Sequence, residues 1–255
     1  MSRRQRLLGV GLLATLLFLL VRMPASWLLP PLAGLLPGLG LERISGTPWS
    51  GRVALLRLGD WEVGPARWSL LWRPWIRGEI LLEGSLGRDG SLRGEGRAGI
   101  DLIGALLLDG VRGGFPLRDL SRLTPLVPTG LEGEVAGEIR RLEVTSRGFR
   151  RLTGEATLSG LTLGPPLSLA LGSFRITLSD EAGEAMVRMA DLASPLDLDA
   201  TLAINLDGRY RLEGAIGSRE QGDNRLASLL RMAGQAGADG RIPLRLEGSL
   251  ALPVP

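Results

Sequence analysis

The chain has 255 residues, 44% hydrophobic and only 4% aromatic, enough apolar material for a sizeable core in one all-β domain or two small ones. It contains no Cys, no His and no Lys, so its 30 basic residues are all Arg; thiol nucleophiles, imidazole bases, lysine Schiff bases and the usual zinc ligand sets are excluded, and any catalysis would fall to carboxylates. The net charge of +3 and pI near 10.6 do not mark a nucleic-acid binder, because Arg3, Arg4, Arg6 and Arg22 precede the first acid, Glu42, and beyond them the two signs nearly balance, whereas a phosphate-binding face needs an excess of one sign.

The opening MSRRQRLLGVGLLATLLFLLVRMPASWLL has a basic start and then fifteen apolar or small residues, Leu7 to Val21, before Arg22. That pattern is a targeting or anchoring element. Fifteen helical residues reach only about 22 Å of a hydrocarbon core of about 30 Å, which suits a cleaved signal, yet the small-x-small site that a signal peptidase prefers is spoiled by Met23 in Met23-Pro24-Ala25. An uncleaved membrane anchor over residues 1–29 is the better reading. Leu7, Leu12, Leu16, Leu19 and Val21 would face lipid, Arg22 would snorkel outward and Trp27 would lie at headgroup depth. The early arginines then stay cytoplasmic and everything after the anchor lies across the membrane. Residues 30–40, PPLAGLLPGLG, are punctuated by Pro and Gly too often for a stable helix and read as a linker.

From residue 41 to 255 the dominant period is two, with Gly-rich interruptions, which predicts antiparallel strands with one wet and one dry face. In residues 195–216, Leu196, Leu198, Ala200, Leu202, Ile204 and then Tyr210, Leu212 and Ile216 are all even-numbered. Opposed residues of an antiparallel pair share a face, so the connection must hold an odd number of residues, and Leu206-Asp207-Gly208 with a left-handed Gly meets that demand. The same parity runs through Ile80, Leu82, Leu86, Leu92, Ala98, Ile100 and Leu102 around RDGS, and through Leu152, Ala156 and Leu158. Only residues 117–126 and 224–234 read as helix after the anchor. Two short helices cannot cover a sheet of about a dozen strands, so the dry face must be hidden by curling of the sheet, by a protein or by lipid. The predicted fold is mainly β: a transmembrane helix followed by a curved, partly rolled antiparallel sheet with two short helices.

Acids alternate with Arg on the wet positions, where cross-strand ion pairs account for them. Asp197 and Asp199 share a face but have no visible third metal ligand, and GRDGSLRGEG lacks the strand-Gly-helix context of a phosphate loop. No catalytic residue, cofactor site or metal site is expected. The 6 tryptophans all lie in the first third of the chain, three of them in WSLLWRPW at 68–75. Trp49, Trp61, Trp68, Trp72 and Trp75 either fill the first hairpins of the core or form an aromatic patch near the membrane, and in the second case Trp49, Trp68, Trp72 and Trp75 are the candidate partner contacts.

The segments ISGTPWSGR (44–52), RLGDWEVGPARWSLLWRPWIRGEI (57–80), GFPLRDL (114–120) and DGRYRLEGAIG…ADGRIPLRLEGSL (207–250), in that order behind a basic-flanked anchor, resemble the type II secretion system protein N family over nearly the whole length. The resemblance implies a single-pass bacterial inner-membrane protein with a periplasmic β-rich domain. It would be a non-enzymatic accessory part of the apparatus that exports folded proteins through the outer-membrane secretin, with inner-membrane platform proteins and the secretin as expected partners. The pattern also looks like the AsmA-like proteins associated with lipid traffic, in which case Leu196, Leu198, Leu202 and Ile204 would form an apolar lipid-binding groove. An enzyme is the remaining class, disfavoured by the missing His, Cys and Lys.

Overall fold

Alternation of apolar and polar residues leaves a strand with one face to hide, and a chain that repeats it with tight connections folds most simply by laying each strand beside the last. The computed structural model describes residues 3–27, 39–58, 61–87, 92–120, 130–165, 168–219, 236–237 and 240–249. It shows this arrangement carried through the chain. Helix α1 (Arg3–Arg22) is followed by fourteen strands: β1 (Leu39–Glu42), β2 (Ser45–Thr47), β3 (Ser50–Leu58), β4 (Trp61–Leu71), β5 (Glu79–Gly87), β6 (Arg93–Asp101), β7 (Leu106–Pro116), β8 (Leu131–Thr145), β9 (Gly148–Leu163), β10 (Leu169–Glu181), β11 (Glu184–Ala193), β12 (Leu196–Ile204), β13 (Arg209–Ser218) and β14 (Ile242–Ser249). They form one antiparallel, curved, open sheet whose spatial order follows the sequence from β3 to β14, with β1 and the short β2 both pairing β3.

Among the described residues helical interruptions of the sheet are few. A 3-10 turn, η1 (Arg73–Arg77), connects β4 to β5, and a four-residue helix, α2 (Leu117–Leu120), follows β7. The helix expected over 117–126 is described as far as Leu120, and the one expected over 224–234 lies outside the described residues. The linker expected over 30–40 is shorter at its end, because Leu39 and Gly40 already pair with Leu58 and Arg57. Helix α1 has 20 residues, about 30 Å at 1.5 Å per residue, but its arginines shorten the apolar part, and among the described residues no helix is long and apolar enough to cross a membrane.

The register places the dry face. Val111, Ile139, Gly154, Leu178, Val187, Leu202, Leu212 and Leu246 are successive partners across β7 to β14, a single apolar row eight strands wide. Tyr210 pairs with Ile204, and Asn205 N–H donates to the Arg209 carbonyl at 2.9 Å, which leaves Leu206-Asp207-Gly208 as the three-residue loop with Gly208 at φ 81°. The parity of the sequence is interrupted by bulges. Asp109 pairs with both Arg97 and Arg141, but Gly110 has no partner, so the apolar positions of β7 change from Leu106 and Leu108 to Val111 and Phe115.

The best-buried cluster lies where β9 ends and β10 begins. Leu158, Leu169, Phe174 and Leu196 pack there with Leu117 of α2, and Leu131, Val135, Leu163, Ile176 and Leu198 surround them. Helix α2 therefore covers the dry face at one end of the strands. The opposite end carries no such helix among the described residues, and there Ile80, Ile100 and Leu106 stay exposed.

Candidate functional site

The tryptophan-rich stretches meet at that second end. Ser50 pairs with Ser69, so the turn before β3 lies beside the end of β4, and Leu70 N–H donates to the Trp49 carbonyl at 2.6 Å. Glu79 pairs with Asp101, so η1 and the 102–105 turn are neighbours in turn. Leu102 rests directly over Gly78, where an added Cβ would stand 2.5 Å from Leu102 Cδ1.

The tryptophans at this end have different environments. Trp68 is half-buried: its ring covers Gly51, where a Cβ would lie 2.3 Å from Cζ2, and its Nε1 donates to the Pro48 carbonyl at 3.0 Å. Trp68 therefore packs, as a buried indole with a satisfied N–H does. Trp49 Nε1 donates to the Leu20 carbonyl at 3.1 Å, joining the last turn of α1 to the root of the sheet. Trp72 and Trp75 do not fill the core. They are 61% and 45% exposed, with ring centroids 4.9 Å apart at a 48° tilt, and beside them Ile76 is 92% exposed. Pro74 in the first turn of η1 and left-handed Gly78 at its end hold this protruding loop in shape. In the neighbouring turn Asp101 Oδ1 accepts from Ile103 N–H at 2.9 Å and Ala105 N–H at 2.8 Å, which directs Leu102 and Ile103 outward. Ile76, Leu102 and Ile103 were not among the sequence candidates. Hairpin connections that are apolar where connections are normally polar were the available signal.

Leu12, Leu16, Leu19, Val21 and Trp27 are exposed, as is Phe18, over which the Arg22 guanidinium lies 5.5 Å from the ring centroid. The side chains of Leu7 and Trp61 lie outside the described residues. On β12, Leu196, Leu198, Leu202 and Ile204 share the dry face. Leu196 is buried in the core cluster, Leu198 packs against that cluster, and Leu202 and Ile204 are half-buried. The four thus run along one strand from closed core to more open sheet.

The wet face is a lattice of ion pairs. Arg97 bridges Glu83 and Asp109; Arg141 lies among Glu79, Asp109 and Glu143; Arg112 pairs with Glu138 and Arg140 with Glu155. Burial alone would lower the Arg141 pKa, but hydrogen bonds to Glu143 and Glu79 outweigh it and hold the guanidinium above its ordinary value. A cleft of about 660 Å³ on this face is lined by Glu95, Arg112, Glu138, Arg140, Glu155 and Arg175, acids and arginines in mixture. Asp197 and Asp199 do not cooperate on an ion: Asp197 is taken by Arg241 and Asp199 by Arg188. Among the described residues no group of three or more acids could hold a metal ion.

Fold and surface together define a protein of one open antiparallel sheet behind an N-terminal apolar helix, with an apolar end near that helix, an apolar face and a charge-balanced face. The chain belongs to the type II secretion system protein N family, whose family model matches residues 37–245, all of β1 to β13 and the first half of β14. Among similar proteins, the type II secretion system protein N of Aeromonas hydrophila is 26% identical over 98% of this chain and 100% of its own length. That of Klebsiella pneumoniae is 26% identical over 82% of each chain, and that of Pectobacterium carotovorum is 27% identical over 51% of this chain and 53% of its own. No solved structure matches the chain.

Proposed function

We propose that this protein is an accessory component of the type II secretion apparatus, held in the inner membrane by α1 with its sheet in the periplasm, and that it acts through contacts with other apparatus components. The observation that carries the reading is the family membership, which extends over nearly the whole sheet and, in the Aeromonas relative, over 98% of this chain and the whole of that one. The surfaces fit it. Exposed Trp72 and Trp75 have the rigid aromatic area that interface hot spots favour, and Trp49 and Trp68 brace the turn beside them. An enzymatic role has no support in a chain without His, Cys or Lys whose acids are largely taken up by arginine.

A second reading has a specific observation behind it. The row from Val111 to Leu246 is apolar across eight strands, and Leu246 at its far edge is 52% exposed. An acyl chain laid against Leu202 and Ile204, the more open end of the strand beyond the closed core at Leu196 and Leu198, would find an apolar floor. Photocrosslinking in the native cell, with probes replacing Trp72 and Ile204, separates the two. Adducts from Trp72 to platform proteins or to the secretin are the expected result. Phospholipid adducts from Ile204 with no protein adduct from Trp72 would replace the contact reading with the lipid one.

A further inference from the structure

The apolar end of the sheet is small, protruding and confined to two neighbouring turns. Ile76 is 92% exposed, Leu102 85%, Ile103 73% and Trp72 61%, and these side chains stand on loop tips rather than lining a groove. Isolated surface hydrophobics are ordinary, but four large ones grouped on adjoining tips are a feature to explain. Other connections at the same end are built differently: Ser146-Arg147 between β8 and β9, Ala182-Gly183 between β10 and β11, and Leu206-Asp207-Gly208 between β12 and β13 carry no exposed aromatic or β-branched residue. The apolar character belongs to the turns nearest α1.

Three observations indicate what meets these tips. The Trp49 indole fixes the last turn of α1 to the turn before β3, so the tips stand at the end of the sheet where that helix arrives. Their cations are Arg73 and Arg77 on η1, while the acids that flank the two turns in the chain are engaged, Asp101 with backbone amides and Glu79 with Arg141. Paired indoles beside guanidinium groups, with isoleucine and leucine projecting past them, form the side-chain set that settles at the boundary between lipid headgroups and acyl chains.

We propose that the 72–78 and 102–105 turns form a membrane-seated foot, with Ile76, Leu102 and Ile103 inserted among the lipids, Trp72 and Trp75 at headgroup depth and Arg73 and Arg77 on lipid phosphates. The foot rests in part on the anchoring reading of α1. Together the two contacts fix the orientation of the sheet, since one helix alone leaves it free to swing whereas a second contact makes it stand with its strands rising from the membrane. With Trp72 and Trp75 at headgroup depth, a platform protein in the same membrane would meet them from the side, along the flank of the sheet, so protein adducts from Trp72 remain the expected result.

The absence of native cysteine makes the test direct. Ile76→Cys, Ile103→Cys, Leu12→Cys and Arg147→Cys variants of the full chain, each spin-labelled, are reconstituted in vesicles of phosphatidylethanolamine and phosphatidylglycerol. Accessibility to oxygen and to a water-soluble nickel chelate then reports depth. Labels at 76 and 103 are expected to favour oxygen, as the label at 12 does, while the label at 147 favours the chelate. If 12 favours oxygen and both 76 and 103 favour the chelate, the anchor stands and the foot is overturned, leaving the tips as a protein-docking surface. Oxygen preference at 76 and 103 with chelate preference at 12 supports the foot and removes the anchor; chelate preference at all sites removes both.

Discussion

Gly51 is where one missing atom does the most. The Trp68 ring occupies the space of its Cβ, and the Ser45 carbonyl stands 2.7 Å from the same point, so backbone as well as side chain would have to yield. Gly51→Ala is expected to push the indole outward, break its 3.0 Å bond to Pro48 and destabilise the protein by about 1–3 kcal/mol, the usual cost of overpacking. Urea unfolding together with a red shift of tryptophan emission measures it, and unchanged stability would show that Trp68 has an alternative seat. Asp207 is the residue whose protonation is worth following. The Arg209 side chain, 2.6 Å away, and then the Arg209 backbone N–H hold its carboxyl below the ordinary value of 3.8. A depressed folded-state value stabilises the loop above the unfolded value and releases it as pH falls through the folded one. Opening of the 206–208 loop is therefore expected below about pH 3.8 and not at neutral pH. Amide exchange at Gly208 follows it, and Asp207→Asn should abolish the pH dependence. The carboxyl is at the surface, so the effect is local.

Among the elements, hairpins differ in how openly the sequence declares them. The β12–β13 connection is legible because even-numbered apolar residues on both arms demand an odd loop and Asp207-Gly208 supplies the left-handed position. The β10–β11 connection is not. Glu181 pairs with Glu184 and leaves a two-residue turn, Ala182-Gly183, with φ 51° and 87°. Such a turn favours Asn-Gly, and an Ala there gives no signal although its Cβ is crowded. Ala182→Asn is expected to raise stability by about 0.5–1 kcal/mol, within the range of single turn optimisations. A higher urea midpoint at unchanged slope checks it, and no gain would mean that the neighbouring Gly148 and Phe149, which contact Gly183, already fix the turn. Bulges are hidden for a related reason. The switch at Gly110 depends on two partner strands accepting Asp109 and skipping its neighbour, which no local pattern records.

In the whole molecule, a meander of near-neighbour pairings stabilises each strand through its two flanking strands, and stability should vary along the sheet as in a quasi-one-dimensional array. Protection against hydrogen exchange is expected to be greatest in β8 to β10, the long strands around Phe174, and to fall toward β14, whose outer edge has no partner among the described residues. Uniform protection from β8 to β14 would show instead a single cooperative unit. The sequence by itself determined the strand character, the parity of the dry face from β9 to β14, the apolar helix before the sheet and the charge balance of the wet face, because each follows from residue spacing along a local backbone; in β5 to β7 the even-numbered Ile80, Ile100 and Leu106 are exposed and the odd-numbered Leu81 and Leu107 are buried instead. Only the tertiary structure decided that Trp68 packs while Trp72 and Trp75 project, that α2 closes one end of the dry face, and that η1, the 102–105 turn and the end of α1 lie together. Those facts depend on which strand ends become neighbours, and that is fixed by pairing between segments far apart in the chain.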